Sequence, residues 1–214
     1  MMRNIYVVDD DDAVRASLQG LLSMQPNLII RGFRSGDAFL AEAAELDGGV
    51  LLLDIHMPGR SGMDVLQALG PASANSFVTV VLTGQGKVSL AVDAMKAGAL
   101  DFLEKPYEVR HLLNTVELAF ARLEENCAAS EAIESARTRI ARLSPREADV
   151  LRGLIDGRPN KLIAHDLNLS PRTVEIYRAN LMDKLEVRSL SEALRIAFAA
   201  GLLPAESEAA GQQA

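Results

Sequence analysis

Four consecutive aspartates, Asp9 to Asp12, directly follow the short apolar run Ile5 to Val8. Charges so close repel: two unit charges about 4 Å apart cost about 4 kcal/mol at an effective dielectric of 20. Either the run is a solvated acidic loop or something positive belongs beside it. Three more positions share the same form, a polar residue closing an apolar run: Asp54 in VLLLDIHMPG, Thr83 in VVLTGQG and Lys105 in DFLEKPY. Together Asp9, Asp10, Asp54, Thr83 and Lys105 suit phosphoryl chemistry. Mg²⁺ prefers oxygen ligands and binds through one or two carboxylates plus a phosphate, keeping several waters. Asp10 and Asp54 would supply the carboxylates, with Asp9 holding a metal-bound water. Asp54 can then act as a nucleophile and form an acyl phosphate. Thr83 would donate a hydrogen bond to one phosphoryl oxygen, and Lys105 would pair with another. Asp11 and Asp12 are read as solvated, with Asp12 capping the first helix. The side chain of His56 is read as a loop residue that could modulate hydrolysis of the phosphate.

The elements that must position these residues follow from alternating periods. Apolar runs at Ile5–Val8, Leu28–Phe33, Val50–Leu53, Phe77–Leu82 and Leu100–Leu103 read as strands. Helical patterns lie between them at Ala13–Met24, Asp37–Leu46, Met63–Leu69 and Val88–Ala97, with another from Glu108 onward. In the first, Val14, Leu18, Leu21 and Leu22 share one helical face. Five β–α units in succession predict an α/β doubly wound, five-stranded parallel sheet with helices on both faces. Sites in such sheets form beyond the carboxyl ends of the strands. If strand one lies between strands three and two, all five polar positions face one crevice.

Bulk properties narrow the class. The chain has 214 residues, 49% hydrophobic and 24% charged, which predicts a soluble globular protein of one large or two ordinary domains. The apolar runs are too short to span a bilayer, and no basic-then-apolar leader opens the sequence. Cys127 is the single cysteine, so no internal disulfide forms and a reducing cytoplasm is expected. Net charge is −7 but uneven. Residues 1–125 carry 10 Lys/Arg against 17 Asp/Glu, while residues 139–203 carry 11 against 8, so an anionic partner would meet the C-terminal part.

The stretches YVVDDDDAVR, LLLDIHMPGRSG, VVLTGQG and AMKAGALDFLEKPYE resemble the receiver domain of two-component response regulators, across roughly residues 4–123. The resemblance implies a flavodoxin-like fold in which Asp54 accepts a phosphoryl group from a sensor histidine kinase. It implies that Asp9 and Asp10 are the acidic pair and Thr83 the switch hydroxyl, and that Lys105 precedes a cis Pro106. The backbone carbonyl of His56 would complete the Mg²⁺ shell. Phe102 takes the place of an aromatic switch residue. A face around Val88, Met95, Phe102 and Tyr107 is implied to mediate homodimerisation on phosphorylation.

Beyond Val109 a polar, Ala-rich helical pattern runs to about Arg142. It reads as a helical connector with a break near residues 126–130; a short coiled-coil seam is the alternative, disfavoured by poor apolar spacing. A small all-α domain follows. SPRE at 144–147 is a capping box with Pro at the first helical position, and Gly157 closes that helix. NKLIAHDL at 160–167 is a short helix, Ser170-Pro171 opens a helix to about Leu185, Ser189 and Glu192 form a second capping box, and Gly201 ends the last helix. NKLIAHDLNLSPRTVEIYRANLMDKL has the form of a helix-turn-helix. Ala164 is small where two helices approach, and Asn168 tolerates a left-handed turn. Val174, Tyr177, Leu181 and Leu185 should face the core. The other face shows Arg172, Glu175, Ile176, Ala179 and Asp183. Arg172 and Glu175 are candidates for base edges, and Lys161, Thr173, Arg178 and Asn180 for phosphates.

Residues 139–203 resemble the four-helix LuxR/NarL-type DNA-binding domain, and with the receiver in front the whole resembles the FixJ-type regulators. Asp183 and Glu186 depart from the more basic helix end that phosphate binding would favour. The resulting organisation is a receiver at 1–123, a helical linker at 124–138, the DNA-binding domain at 139–204 and a disordered tail at 205–214. The expected partners are a sensor histidine kinase, double-stranded promoter DNA and, when phosphorylated, a second copy of the chain, with no membrane. Two other classes compete with this non-enzymatic reading. One is a Mg²⁺-dependent phosphohydrolase, whose nucleophile would lie in the loop after strand one and which would need a substrate cap. The other is a signalling adaptor whose C-terminal helices bind protein or RNA.

Overall fold

A computed structural model describes residues 2–70, 76–84 and 88–204. The tail expected to be disordered, 205–214, lies outside the described residues. The chain divides into two compact units between Ala128 and Ala129.

In the first unit the strands are β1 (Arg3–Val8), β2 (Leu28–Phe33), β3 (Gly49–Asp54), β4 (Phe77–Thr83) and β5 (Asp101–Glu104). They form one parallel sheet in the order β2-β1-β3-β4-β5. Strand one therefore lies between strands two and three, as the crevice requires. Helices α1 (Asp12–Leu22), α2 (Gly36–Glu42), α3 (Gly62–Leu69), α4 (Val88–Lys96) and the start of α5 (Val109–Ala141) cover the sheet. One core gathers Ile5, Val7, Val50, Leu52, Val80 and Leu82 under Leu18 and Leu22 of α1 and Leu112, Val116 and Phe120 of α5. The opposite core places Tyr6, Leu51, Leu53 and Val81 against Phe39 of α2, Val65 and Leu66 of α3 and Ala94 of α4. Burial on both faces is why β1, β3 and β4 read as continuous apolar runs rather than alternating ones.

Two local expectations are corrected here. The first helix is capped by Asp11, whose carboxylate accepts from the backbone N–H of Ala13 and Val14. Asp12 is already helical, fully solvated at its carboxylate, and pairs with Arg15. The cap is the residue just before the first helical one, and the chain needs only Asp9 and Asp10 to leave the strand. The connector is not broken at 126–130: α5 is one helix of 33 residues.

In the second unit α6 (Pro145–Ile155), α7 (Asn160–Asp166), α8 (Pro171–Lys184) and α9 (Leu190–Ala199) enclose a core of Val150, Leu151, Leu154, Ile163, Ala164, Val174, Leu181, Leu185, Ala193 and Ala197. Tyr177 packs against it half-buried, completing the predicted inward face of α8. Ser144 and Glu147 form the expected capping box on α6. Asn168 adopts the left-handed conformation (φ 54°) in the turn between α7 and α8. The second predicted box is displaced: Ser189 accepts from Glu192 N–H, but the Glu192 carboxylate accepts from Arg188 N–H at 2.8 Å.

Candidate functional site

Parallel strands in close register bring their carboxyl ends to one rim. Asp54 is the last residue of β3 and Thr83 the last of β4, while Asp9 and Lys105 directly follow β1 and β5. The backbone fixes them there: Asp9 N–H donates to Phe33 O at 3.2 Å, and Lys105 N–H to Thr83 O at 2.7 Å. The Lys105–Pro106 peptide is cis, as expected. Gly62 opens α3 against the loop after Asp54; a Cβ there would lie 2.2 Å from the Asp54 carbonyl oxygen. Only glycine lets α3 approach so closely.

The positive partner that the acidic run demanded is Lys105. Its Nζ donates to Asp9 Oδ2 and to Asp54 Oδ1, both at 2.7 Å. The two residues are 2% and 5% exposed, and buried charge of this kind is costly without such a partner. Their other oxygens are held by backbone: Asp11 N–H donates to Asp9 Oδ1 at 2.9 Å, and His56 N–H to Asp54 Oδ2 at 2.7 Å. Burial pulls the Lys105 ammonium down, but hydrogen bonds and charge from Asp54 and Asp9 outweigh it and hold its pKa above the ordinary lysine value. Burial also raises the Tyr107 phenol, with Lys105 opposing and Asp9 and Asp54 assisting.

Not every predicted position joins this cluster. Asp10 is exposed at the rim, and among the described residues no three His, Cys, Asp or Glu side chains stand close enough to hold a metal ion together. Thr83 is fully buried, and its Oγ1 lies 3.3 Å from His56 Nδ1. Sequence reasoning missed that contact, because nothing in a loop's composition says which way a ring turns. It also missed Arg15, whose guanidinium donates to the Asp9 carbonyl at 2.6 Å. Phe102 is half-buried against the α2–α4 core, and Tyr107 against the α1–α5 core. Val88 and Met95 are exposed at 79% and 48%, with Val92 beside them on α4.

In the second unit Arg172, Glu175, Ile176, Ala179, Asn180 and Asp183 are exposed on α8 and Lys161 on α7. Thr173 is half-buried, its hydroxyl 2.8 Å from that of Ser170. Arg178 departs from a free outward cation: half-buried, it donates to Asn160 Oδ1 at 2.6 Å and ties α8 to the start of α7. A pair not anticipated from sequence, from the exposed Lys184 Nζ to the buried Glu147 Oε2 at 2.6 Å, ties the end of α8 to the start of α6. Despite the burial that opposes it, the bonds from Lys184 and Ser144 hold the Glu147 carboxyl below its ordinary range.

Residues 5–117 match the response regulator receiver domain, and residues 141–197 match the luxR family of bacterial regulatory proteins. The transcriptional regulatory protein FixJ of Azorhizobium caulinodans is 45% identical over 202 residues, which cover 94% of this chain and 95% of that one. The chain belongs to the FixJ-type response regulators. Among solved structures, full-length FixJ from B. japonicum is 42% identical, covers 94% of this chain and 98% of its own, and superimposes with a TM-score of 0.57. The response regulator StyR, 34% identical over 92% of this chain and 99% of its own, gives 0.77. A receiver joined to a luxR-family domain makes the regulator a DNA-binding transcription factor rather than a classical enzyme. No helix of the described residues is long and apolar enough to cross a membrane.

Proposed function

We propose that this regulator is switched by transient phosphorylation of Asp54. The observation that carries the reading is the single ammonium shared by two buried carboxylates at the carboxyl rim of the sheet. Its donor in this reading is the phosphohistidine of a sensor kinase. An Asp54 carboxylate oxygen attacks phosphorus, the P–N bond to the kinase imidazole breaks, and the electron pair leaves with the imidazole. Lys105 is already placed to neutralise charge on the incoming phosphoryl oxygens, and Thr83 supplies a hydroxyl donor beside them.

The residues suit magnesium. Two carboxylates against one ammonium leave a net negative charge among hard oxygen donors, and exposed Asp10 sits where water reaches. A cage of three side chains is not needed, because Mg²⁺ usually takes one or two carboxylates and keeps its waters. Asp9, Asp10, Asp54 and the His56 carbonyl would hold it. When bound, the ion supplies a Lewis acid that offsets charge on the transferring group.

The added charge, about −1.5 to −2 at pH 7, draws Thr83 and Lys105 toward the phosphoryl group and repacks the surface carrying Val88, Met95, Phe102 and Tyr107. That exposed apolar surface then pairs two receivers. Two copies of α8 meet two half-sites of cytoplasmic promoter DNA, with Arg172 and Glu175 at base edges and Lys161, Thr173 and Asn180 at phosphates. Arg178 serves first as the strut between α7 and α8 and reaches phosphate from there. In this reading the receiver is residues 1–123, the linker 124–138 and the DNA-binding domain 139–204. Intact-mass analysis after incubation with a phosphodonor and Mg²⁺ tests the switch: the wild type gains one phosphoryl group and Asp54→Asn gains none. An equal gain in the variant would remove Asp54 from the mechanism.

A further inference from the structure

We infer that the Asn160 carboxamide completes a binding site for one phosphate of the DNA backbone, holding the Arg178 guanidinium through its oxygen and the phosphate through its nitrogen. This rests on the reading of the second unit as the DNA-binding part. Arg178 Nη1 donates to Asn160 Oδ1 at 2.6 Å, both residues being half-buried where α8 meets the first residue of α7. A guanidinium has five N–H donors and no acceptor. The amide atom that faces it is therefore the oxygen, and the two hydrogens on Nδ2 are left for another group. Among the described residues none accepts them, and Nδ2 is not a buried orphan, so it opens to solvent. Arg178 has donors to spare in the same way, since neither its Nε nor its Nη2 is a buried orphan.

The neutrality of the partner decides the chemistry. Arg137, Arg142, Arg146 and Arg158 of the same unit pair with carboxylates, which cancel their charge. Asn160 fixes Arg178 with an uncharged oxygen and leaves that charge whole. A guanidinium and an amide joined in this way present N–H donors from two side chains, one of them charged, which suits the paired oxygens of a phosphate. Lys161, exposed and next in the chain, adds positive charge. The place on the duplex follows from helix-turn-helix docking, in which the first helix crosses the backbone and the opening of the second meets the bases. Arg178 lies about two turns into α8, past Arg172 and Glu175, so the cluster falls to the backbone and not to base edges.

The test titrates the full-length protein, treated with phosphoramidate and Mg²⁺, against a mixed-sequence DNA duplex at several salt concentrations, as wild type, Asn160→Asp and Arg178→Ala. Asn160→Asp is the deciding variant. Its carboxylate still accepts from Arg178 and keeps the two helices tied, but it has no hydrogen to give and repels phosphate. A contact that only braces α7 on α8 would leave binding unchanged, whereas the phosphate site predicts binding about tenfold weaker, the factor for one hydrogen bond to a charged group. In Arg178→Ala the slope of log affinity against log salt should shrink by about 0.9, the contribution of one phosphate contact. Hydrogen exchange of α7 and α8 shows that each variant is folded. In the wild type, the Asn160 Nδ2 proton signals should shift and exchange more slowly with water when the duplex is added. Wild-type affinity in Asn160→Asp, an unchanged salt slope in Arg178→Ala, or Nδ2 signals that ignore the duplex would overturn the phosphate site alone. A wild type that binds no duplex at any salt concentration would overturn the DNA reading and the site with it.

Discussion

Lys105 decides the character of the site. Removing it leaves two buried carboxylates facing each other with no cation between them, a situation that costs about 3 kcal/mol or more when one partner of a buried pair is lost. Lys105→Met should therefore lower folding stability by about that amount in denaturant titration, and should also abolish phosphoryl gain. Stability unchanged within about 0.5 kcal/mol would mean the three groups do not share a dry site. The wild type carries a corresponding alkaline limb. Because the folded pKa of Lys105 is raised, its contribution is fully present below the ordinary value of 10.5 and is lost as pH rises through the folded value. Tyr107, also raised, loses stability in the same direction from its ordinary value of 10.0 upward. A melting temperature that held steady through that range would contradict both assignments. Most of these positions were legible in sequence, since a single polar residue closing a buried run needs a reason to be there. The His56 ring and the Asp11 cap were not, because they depend on where the chain leaves the strand and how the loop turns.

The elements were legible where periodicity is strong and misread where propensity acts alone. From residue 126 to 130 the apolar stripe of α5 lapses, which invited a break. Those five residues are Asn-Cys-Ala-Ala-Ser, but Ala, Glu and Arg, good helix formers, dominate the wider stretch 121–142, so the backbone continues through them. Close approach is equally invisible in one sequence: a Gly62 in a loop reads as a turn, yet it seats α3 on the Asp54 carbonyl. Gly62→Ala should displace the Asp54–His56 loop, destabilise the receiver by about 1–3 kcal/mol and slow phosphoryl gain. Normal values for both would show that the loop yields freely. At the far end of α8, Glu186 takes a left-handed conformation (φ 54°) that disfavours a side chain, while its exposed pair with Arg142 at 3.3 Å is worth little. Glu186→Gly should stabilise the second unit by about 0.5–1 kcal/mol, read from hydrogen-exchange protection of α8. Loss of protection would mean the Arg142 contact outweighs backbone strain.

At the scale of the whole molecule, charge separates the two parts: residues 1–125 are acidic and residues 139–203 mildly basic, which suits an anionic partner such as DNA only in the second. The Glu147–Lys184 pair makes the second unit sensitive to acid. The Glu147 carboxyl lies below its ordinary value of 4.5 when folded, so its contribution is present above that value and is lost as pH falls through the folded pKa. Exchange protection of α6 and α8 should fall together as the pH drops below the ordinary carboxylate value, and Glu147→Gln should blunt that response. The two units matter only if the state of Asp54 changes what α8 does. The most direct measurement is the affinity of the full chain for its genomic DNA fragments at fixed salt, with and without phosphoramidate and Mg²⁺, in wild type and Asp54→Asn. The account predicts tighter binding on phosphorylation for the wild type and none for the variant. Equal enhancement in both, or none in a wild type shown by mass to be phosphorylated, would contradict it.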